Sequence, residues 1–168
     1  MSLNAYSMTV ELFIPMLTNL GGILAKGASF AEAKKLEAGV LENARLAPDM
    51  FALRRQIGLT SDFAKLGTAR LAGIEAPKFE DNEASFPELQ ERVAKTIAWL
   101  RSVKPEQLEG SMTRQVIVPL RTRTLDLQGA DFLRKWVLPN FFFHLTTAYA
   151  ILRSNGVEVG KNDFLGSV

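Results

Sequence analysis

The chain has 168 residues, 47% hydrophobic and 23% charged, with 20 Lys and Arg against 18 Asp and Glu for a formal net charge of +2. That is the length of about one domain with a real core, too apolar for a disordered tail and too nearly balanced in charge to track nucleic-acid phosphates or an anionic membrane. Zero cysteines exclude disulfides, thiolate metal sites and cysteine nucleophiles, and a single histidine, His144, excludes any site that needs two imidazoles from one chain.

The first segment, about Asn4 to Lys26, places Val10, Phe13, Leu17, Leu20 and Leu24 at alternating steps of three and four, one apolar stripe on a helix. Pro15 inside it predicts a kink, or a helix whose regular part begins near it, and Gly21-Gly22 offers close helix packing. Glu11, Pro15, Asn19 and Gly21-Gly22 interrupt the stretch well short of the ~20 apolar residues of a membrane span, and the absence of Lys and Arg from the first 25 residues removes the positive start of a secretory signal. The expectation is a cytoplasmic protein with neither membrane nor nucleic acid as partner.

A connecting region around Ala31 to Asn43 leads to a helix start at Arg45 to Met50, where Pro48 suits the first helical position and Asp49 the positive end of the helix dipole. Met50, Leu53, Ile57, Ala64 and Leu71 keep the apolar spacing, and Ser61, Ala64, Gly67 and Thr68 leave small side chains against which another helix can close. Glu75 to Ser85 reads as a linker rich in Pro and acids. Ser85 with Glu88 is a capping box, with Pro87 in the first turn, for a helix carrying Leu89, Val93, Thr96 or Ile97, Leu100 and Val103 and ending before Pro105.

From Met112 to Gly129 the period changes: Val116 to Val118 and Thr122 to Leu125 favour strands and flank a turn at Pro119 to Arg121. The last long segment, about Ala130 to Asn155, is expected to have Leu133, Trp136, Val137, Phe143, Thr147, Ala150 and Ile151 on one side, with a kink at Pro139 and a left-handed stop at Asn155-Gly156. The tail from Gly156 to Val168 is too short to be a separate unit and is expected to lie back on the rest. Four long amphipathic segments and one hairpin give an all-α four-helix bundle with a small β-hairpin inserted before the last long helix, a single domain over residues 1–168.

In the last helix Asn140, His144 and Thr147 fall at i, i+4 and i+7 and project from one face, where buried polar groups need partners. Asp62, in a polar patch with Thr60 and Ser61, lies at a depth that suggests a contact with His144. Such a pair serves as a carboxylate-oriented base, as two ligands of an open metal site, or as a buried structural pair. Phe141 to Phe143 with Trp136 and Tyr149 are core or the wall of an apolar ligand cavity. Arg114, Arg121 and Arg123 on the hairpin form a solvated or dimer-facing patch or an anion site, with Glu75, Glu80, Asp81 and Glu83 as its counterpart or as a plain soluble loop. Lys161, Asn162 and Asp163 suggest a charged lock for the tail. No phosphate loop, nucleophile elbow or Ca²⁺ loop is present.

Four ordered motifs, Arg45-Leu46-Ala47-Pro48-Asp49-Met50, Pro139-Asn140-Phe141-Phe142-Phe143-His144, Thr146-Thr147-Ala148-Tyr149-Ala150-Ile151-Leu152-Arg153 and Gly160-Lys161-Asn162-Asp163-Phe164-Leu165-Gly166, resemble a bacterial family labelled domain of unknown function nineteen ninety-three. The similarity runs from about Met8 to Gly166. That family is similar in fold to the DinB/YfiT-like superfamily of helical bundles, whose active members hold a divalent metal with one histidine on the second helix and two on the fourth; several are thiol-dependent transferases or isomerases, and many are dimers. The resemblance implies that His144 matches one fourth-helix histidine, that Asn140 or Ala148 stands where the other belongs, and that Asp62 stands for the second-helix one. An alanine cannot ligate and an amide oxygen replaces imidazole poorly on a transition metal. The expected protein is a cytoplasmic homodimer that binds a small ligand or a partner on a degenerate metal site, with His144, Asp62, Asn140, Thr147 and Tyr149 as polar-centre candidates and His144 and Asp62 at most as metal ligands. The alternative is a metal-dependent or His-based enzyme of the thiol-transferase type.

Overall fold

In a computed structural model, which describes residues 4–167, helix α1 spans Val10–Ala33 and buries Val10, Phe13, Leu17, Leu20 and Leu24 along the side that their spacing predicts. It starts six residues later than expected and runs seven further. Pro15 therefore falls in the second turn and interrupts little. The glycines that matter for packing are also different ones: nothing lies within 4 Å of a side chain built on Gly21 or Gly22, whereas a Cβ on Gly27 would stand 2.9 Å from the Phe86 ring.

Helix α2 spans Leu53–Ala72 and begins after, not at, the Pro48-Asp49 pair. Those residues lie ahead of it in a turn in which the Met50 N–H donates to the Ala47 carbonyl at 3.0 Å. The first donors of α2 are met from farther back, Leu53 N–H by the Ala44 carbonyl at 2.9 Å and Arg54 N–H by that of Glu42 at 3.0 Å. The preceding backbone thus does the work of a cap. Leu53, Ile57, Ala64 and Leu71 are fully buried, while Met50 stays half-exposed outside the helix.

Helix α3 spans Phe86–Ser102 and opens with the expected capping box, Glu88 Oε2 accepting from the Ser85 N–H at 2.9 Å and from its hydroxyl at 2.8 Å. Strands β1 (Gln115–Pro119) and β2 (Thr124–Gln128) pair antiparallel with Val116 opposite Leu127 and Val118 opposite Leu125. Val116 and Val118 point inward and Ile117 outward, as the period of two requires. The last long segment is one helical run in three parts: α4 (Gly129–Phe132), a π-helical turn (Leu133–Val137) and α5 (Leu138–Ser154). The π turn is the form that the Pro139 disturbance takes. Proline has no N–H for the carbonyl four residues back, and the backbone just before it widens so that Leu138 N–H reaches the Leu133 carbonyl.

Helix α5 stops in a Schellman motif: Gly156 N–H donates to the Arg153 carbonyl at 3.1 Å and Val157 N–H to that of Leu152 at 3.1 Å. Gly156 supplies the left-handed residue, with φ 93°, while Asn155 keeps ordinary φ. Helix α6 (Lys161–Leu165) then lies against α1. Asp163 pairs with Lys26 at 2.7 Å, and Asn19 Nδ2 donates to the Phe164 carbonyl at 3.1 Å. The expected return of the tail is thus seen through Gly166, which lies beside Asn19, with Val168 outside the described residues. The chain is mostly helical with one small antiparallel hairpin: α2 packs chiefly on α5, α1 on α3, and one continuous apolar cluster joins all four long helical runs. Among the described residues no helix is long and apolar enough to cross a membrane.

Candidate functional site

His144 lies on the α2-facing side of α5 and is 9% exposed. Its partner is Gln56, whose Oε1 stands 2.7 Å from the imidazole Nδ1. Gln56 Nε2 donates to the Phe51 carbonyl at 3.1 Å. A carbonyl can only accept, so the amide nitrogen of Gln56 faces Phe51 and its oxygen is left for the ring, which must carry its proton on Nδ1. The Phe63 ring stacks on the imidazole at 5.6 Å and 15°, and the Phe143 ring meets it edge-on at 5.3 Å. Burial, with a smaller push from the Arg55 guanidinium, lowers the imidazole from 6.5 to about 4. The site is a neutral histidine with Nδ1 committed and the Nε2 lone pair unclaimed by any hydrogen bond among the described residues.

The expected contact between His144 and Asp62 is not formed. At 100° per residue Asp62 lies about 120° round the helix from Gln56 and faces α3 instead. There Arg92 Nη2 donates to it at 3.0 Å and Lys65 Nζ approaches to 3.5 Å. Arg92, only 2% exposed, also donates to Glu83 at 2.8 Å and to the Glu80 carbonyl at 3.2 Å, and pairs with Asp81 at 3.0 Å. Lys65 donates to the Pro77 carbonyl at 2.9 Å with the Phe79 ring 3.8 Å from its ammonium. Burial pushes that ammonium below the usual lysine range against the pull of Asp62. The acidic linker is thus strapped onto α2 and α3 by two buried cations, and it does not answer the hairpin arginines. Arg114 instead caps α2 by donating to the Leu71 carbonyl at 2.8 Å, and Arg121 and Arg123 stay exposed at the turn.

The other candidates serve their own helix or the tail. Asn140 Nδ2 donates to the Trp136 carbonyl at 2.7 Å, and the Thr147 hydroxyl to the Phe143 carbonyl at 2.7 Å. Tyr149 packs edge-on against Phe164 at 5.8 Å. The three consecutive phenylalanines fan out at 100° steps and cannot wall one cavity: Phe141 is fully buried, 4.5 Å from the Phe13 ring, while Phe143 is 54% exposed. Gln56 escaped the sequence reading because amides carry no titration signal. Its trace is spacing: Gln56, Phe63 and Gly67 recur at seven and four, the stripe that faces α5.

A mostly helical fold with one hairpin, centred on a histidine between its second and last long helices, defines the class. The chain belongs to the DUF1993 family, described as a domain of unknown function, whose model matches residues 5–165. It is similar to a DinB family member protein from Shewanella denitrificans whose crystal structure superposes with a TM-score of 0.91, at 44% identity over 97% of this chain and 92% of that one. No protein of curated description matches it.

That kinship raises the divalent metal of active DinB-like proteins, and the donor set here does not fit one. The imidazole is joined by a neutral amide, not by a second imidazole or a carboxylate. Among the described residues no three His, Cys, Asp or Glu side chains cluster to hold an ion. The neighbouring Arg55 charge adds repulsion.

Proposed function

We propose that this protein binds a small ligand on a DinB-like four-helix bundle whose metal site is degenerate, as a single-domain cytoplasmic homodimer. The observation that carries the reading is the His144–Gln56 pair: a neutral imidazole oriented by an amide is a hydrogen-bonding group for a ligand and a poor anchor for a cation. An imidazole at about 4 is also far from the pKa near 7 that suits a general base, which weighs against the thiol-transferase alternative. The polar-centre role falls to His144 with Gln56; Asp62 is engaged by Arg92 and Lys65, and Asn140, Thr147 and Tyr149 are engaged within their own helix or by the tail. Phe51 and Phe143, 56% and 54% exposed, flank the same pair and support a dimer face that covers it.

The test is the metal content of untagged protein by inductively coupled plasma mass spectrometry, repeated on His144→Ala. The expected result is no stoichiometric metal in either; near-stoichiometric metal lost in the variant reinstates the metalloenzyme. Sedimentation equilibrium checks the assembly. A dimer mass that Phe143→Asp converts to monomer is expected, and a concentration-independent monomer mass for the unmodified protein refutes the homodimer.

A further inference from the structure

A cleft of about 190 Å³ opens between the hairpin turn and α2, beside the π turn. Phe63 and Leu66 of α2, Leu120 of the hairpin and Trp136 of the π turn make its apolar walls, and Asp62 and Arg70 supply its charges. Trp136 stands edge-on to Phe63 at 6.1 Å and 65°, so the two aromatic side chains form adjacent walls. π turns inside helices occur often at functional sites, and this one carries the tryptophan into the cleft.

We propose that this cleft binds a small carboxylate with an apolar body, its carboxylate on Arg70 and its body between Phe63 and Trp136. The inference rests on the ligand-binding reading above and names the ligand class. The charge of Asp62 is already met by Arg92 and Lys65. Arg70 makes no ion pair or hydrogen bond through its side chain among the described residues, so the one charge on the lining without a protein partner is positive. That selects an anion over an amine. One cation among apolar walls selects a monocarboxylate over a phosphate, which calls for several donors. The volume lies below the roughly 300–1,000 Å³ of drug-sized ligand sites, which limits the occupant to a short chain or single ring. Phe63 also stacks on His144, so a body pressed against its ring touches the same assembly as the histidine.

The experiment uses the 168-residue chain with Trp99→Phe, so that Trp136 is its sole tryptophan, titrated with hexanoate and cyclohexanecarboxylate and with their primary amides. The expected result is a saturable change in Trp136 emission with the carboxylates, at least tenfold weaker with the amides and at least tenfold weaker in Arg70→Gln. Arg70 is exposed, and an unchanged melting temperature of Arg70→Gln shows that its fold is intact. Equal binding of acids and amides, or no effect of Arg70→Gln, overturns the carboxylate assignment while leaving a ligand-binding protein. No response of Trp136 to any of the four overturns the cleft as a site. The metal measurement decides independently of these outcomes whether the His144 site holds a metal.

Discussion

His144 is held neutral by burial, and that state has a thermodynamic signature. The unfolded imidazole takes up its proton near 6.5 and the folded one near about 4, so between those values the unfolded chain binds more protons. Stability contributed by this group is complete above about pH 6.5, falls as pH is lowered towards 4, and levels off below that. By about pH 5 the loss amounts to about 2 kcal/mol. Urea unfolding at pH 7 and 5 checks this: His144→Gln is expected to lose less stability over the same interval by about that amount, carboxylate effects being common to both proteins. A ¹⁵N spectrum at pH 7 should show the proton on Nδ1, since Gln56 can only accept there. That a polar residue stood on the apolar face of the last helix was plain from its spacing. Which residue answered it was not, because Asp62 and Gln56 differ by a rotation about α2 that only the packing of α3 and α5 resolves.

At the scale of elements, helix interiors were more legible than their ends. Apolar stripes decide which side is buried, and those of α1, α2 and α3 lie where periodicity puts them. The start of α2 was not legible, because carbonyls of Glu42 and Ala44 cap it, and such long-range backbone caps leave no residue signature. The small-residue stripe of α2 does admit a close neighbour: a Cβ on Gly67 would lie 2.5 Å from Val137 Cγ1 in the π turn. Gly67→Ala should therefore cost about 1–3 kcal/mol by overpacking, despite gaining up to about 1 kcal/mol of helix propensity. Adding Val137→Ala should recover part of that loss, a coupling of about 0.5–3 kcal/mol measurable in a denaturation double-mutant cycle. Additive losses would mean that the turn shifts instead of clashing. Gly129 is tighter still: a Cβ there would fall 1.9 Å from the Ser111 carbonyl oxygen, where the hairpin meets the last helical run.

Across the whole molecule the four long runs followed from amphipathic segments, whereas the strap over α2 and α3 did not. Arg92 sits in an ordinary helical pattern, and nothing in its neighbours announces that it is buried under acids from residues 80–83. The tail shows the same division. Lys26 and Asp163 form an ion pair with side chains 49% and 28% exposed, and Asp163→Asn, which can still accept from the Gly160 N–H, should change stability little. Phe164→Ala removes a half-buried ring and its contact with Tyr149, and about 1–2 kcal/mol is expected. Thermal unfolding of the two variants ranks them, and a larger effect from Asp163→Asn would make the lock electrostatic.

The seating of α6 on α1 also sets an order of events during synthesis. Asn19 finds its partner 145 residues later in the chain. At translation rates of about 5–20 residues per second, the outer side of α1 waits roughly 7–30 s before the segment that covers it exists. Nascent chains therefore expose this flank of the first helix until α6 has been made.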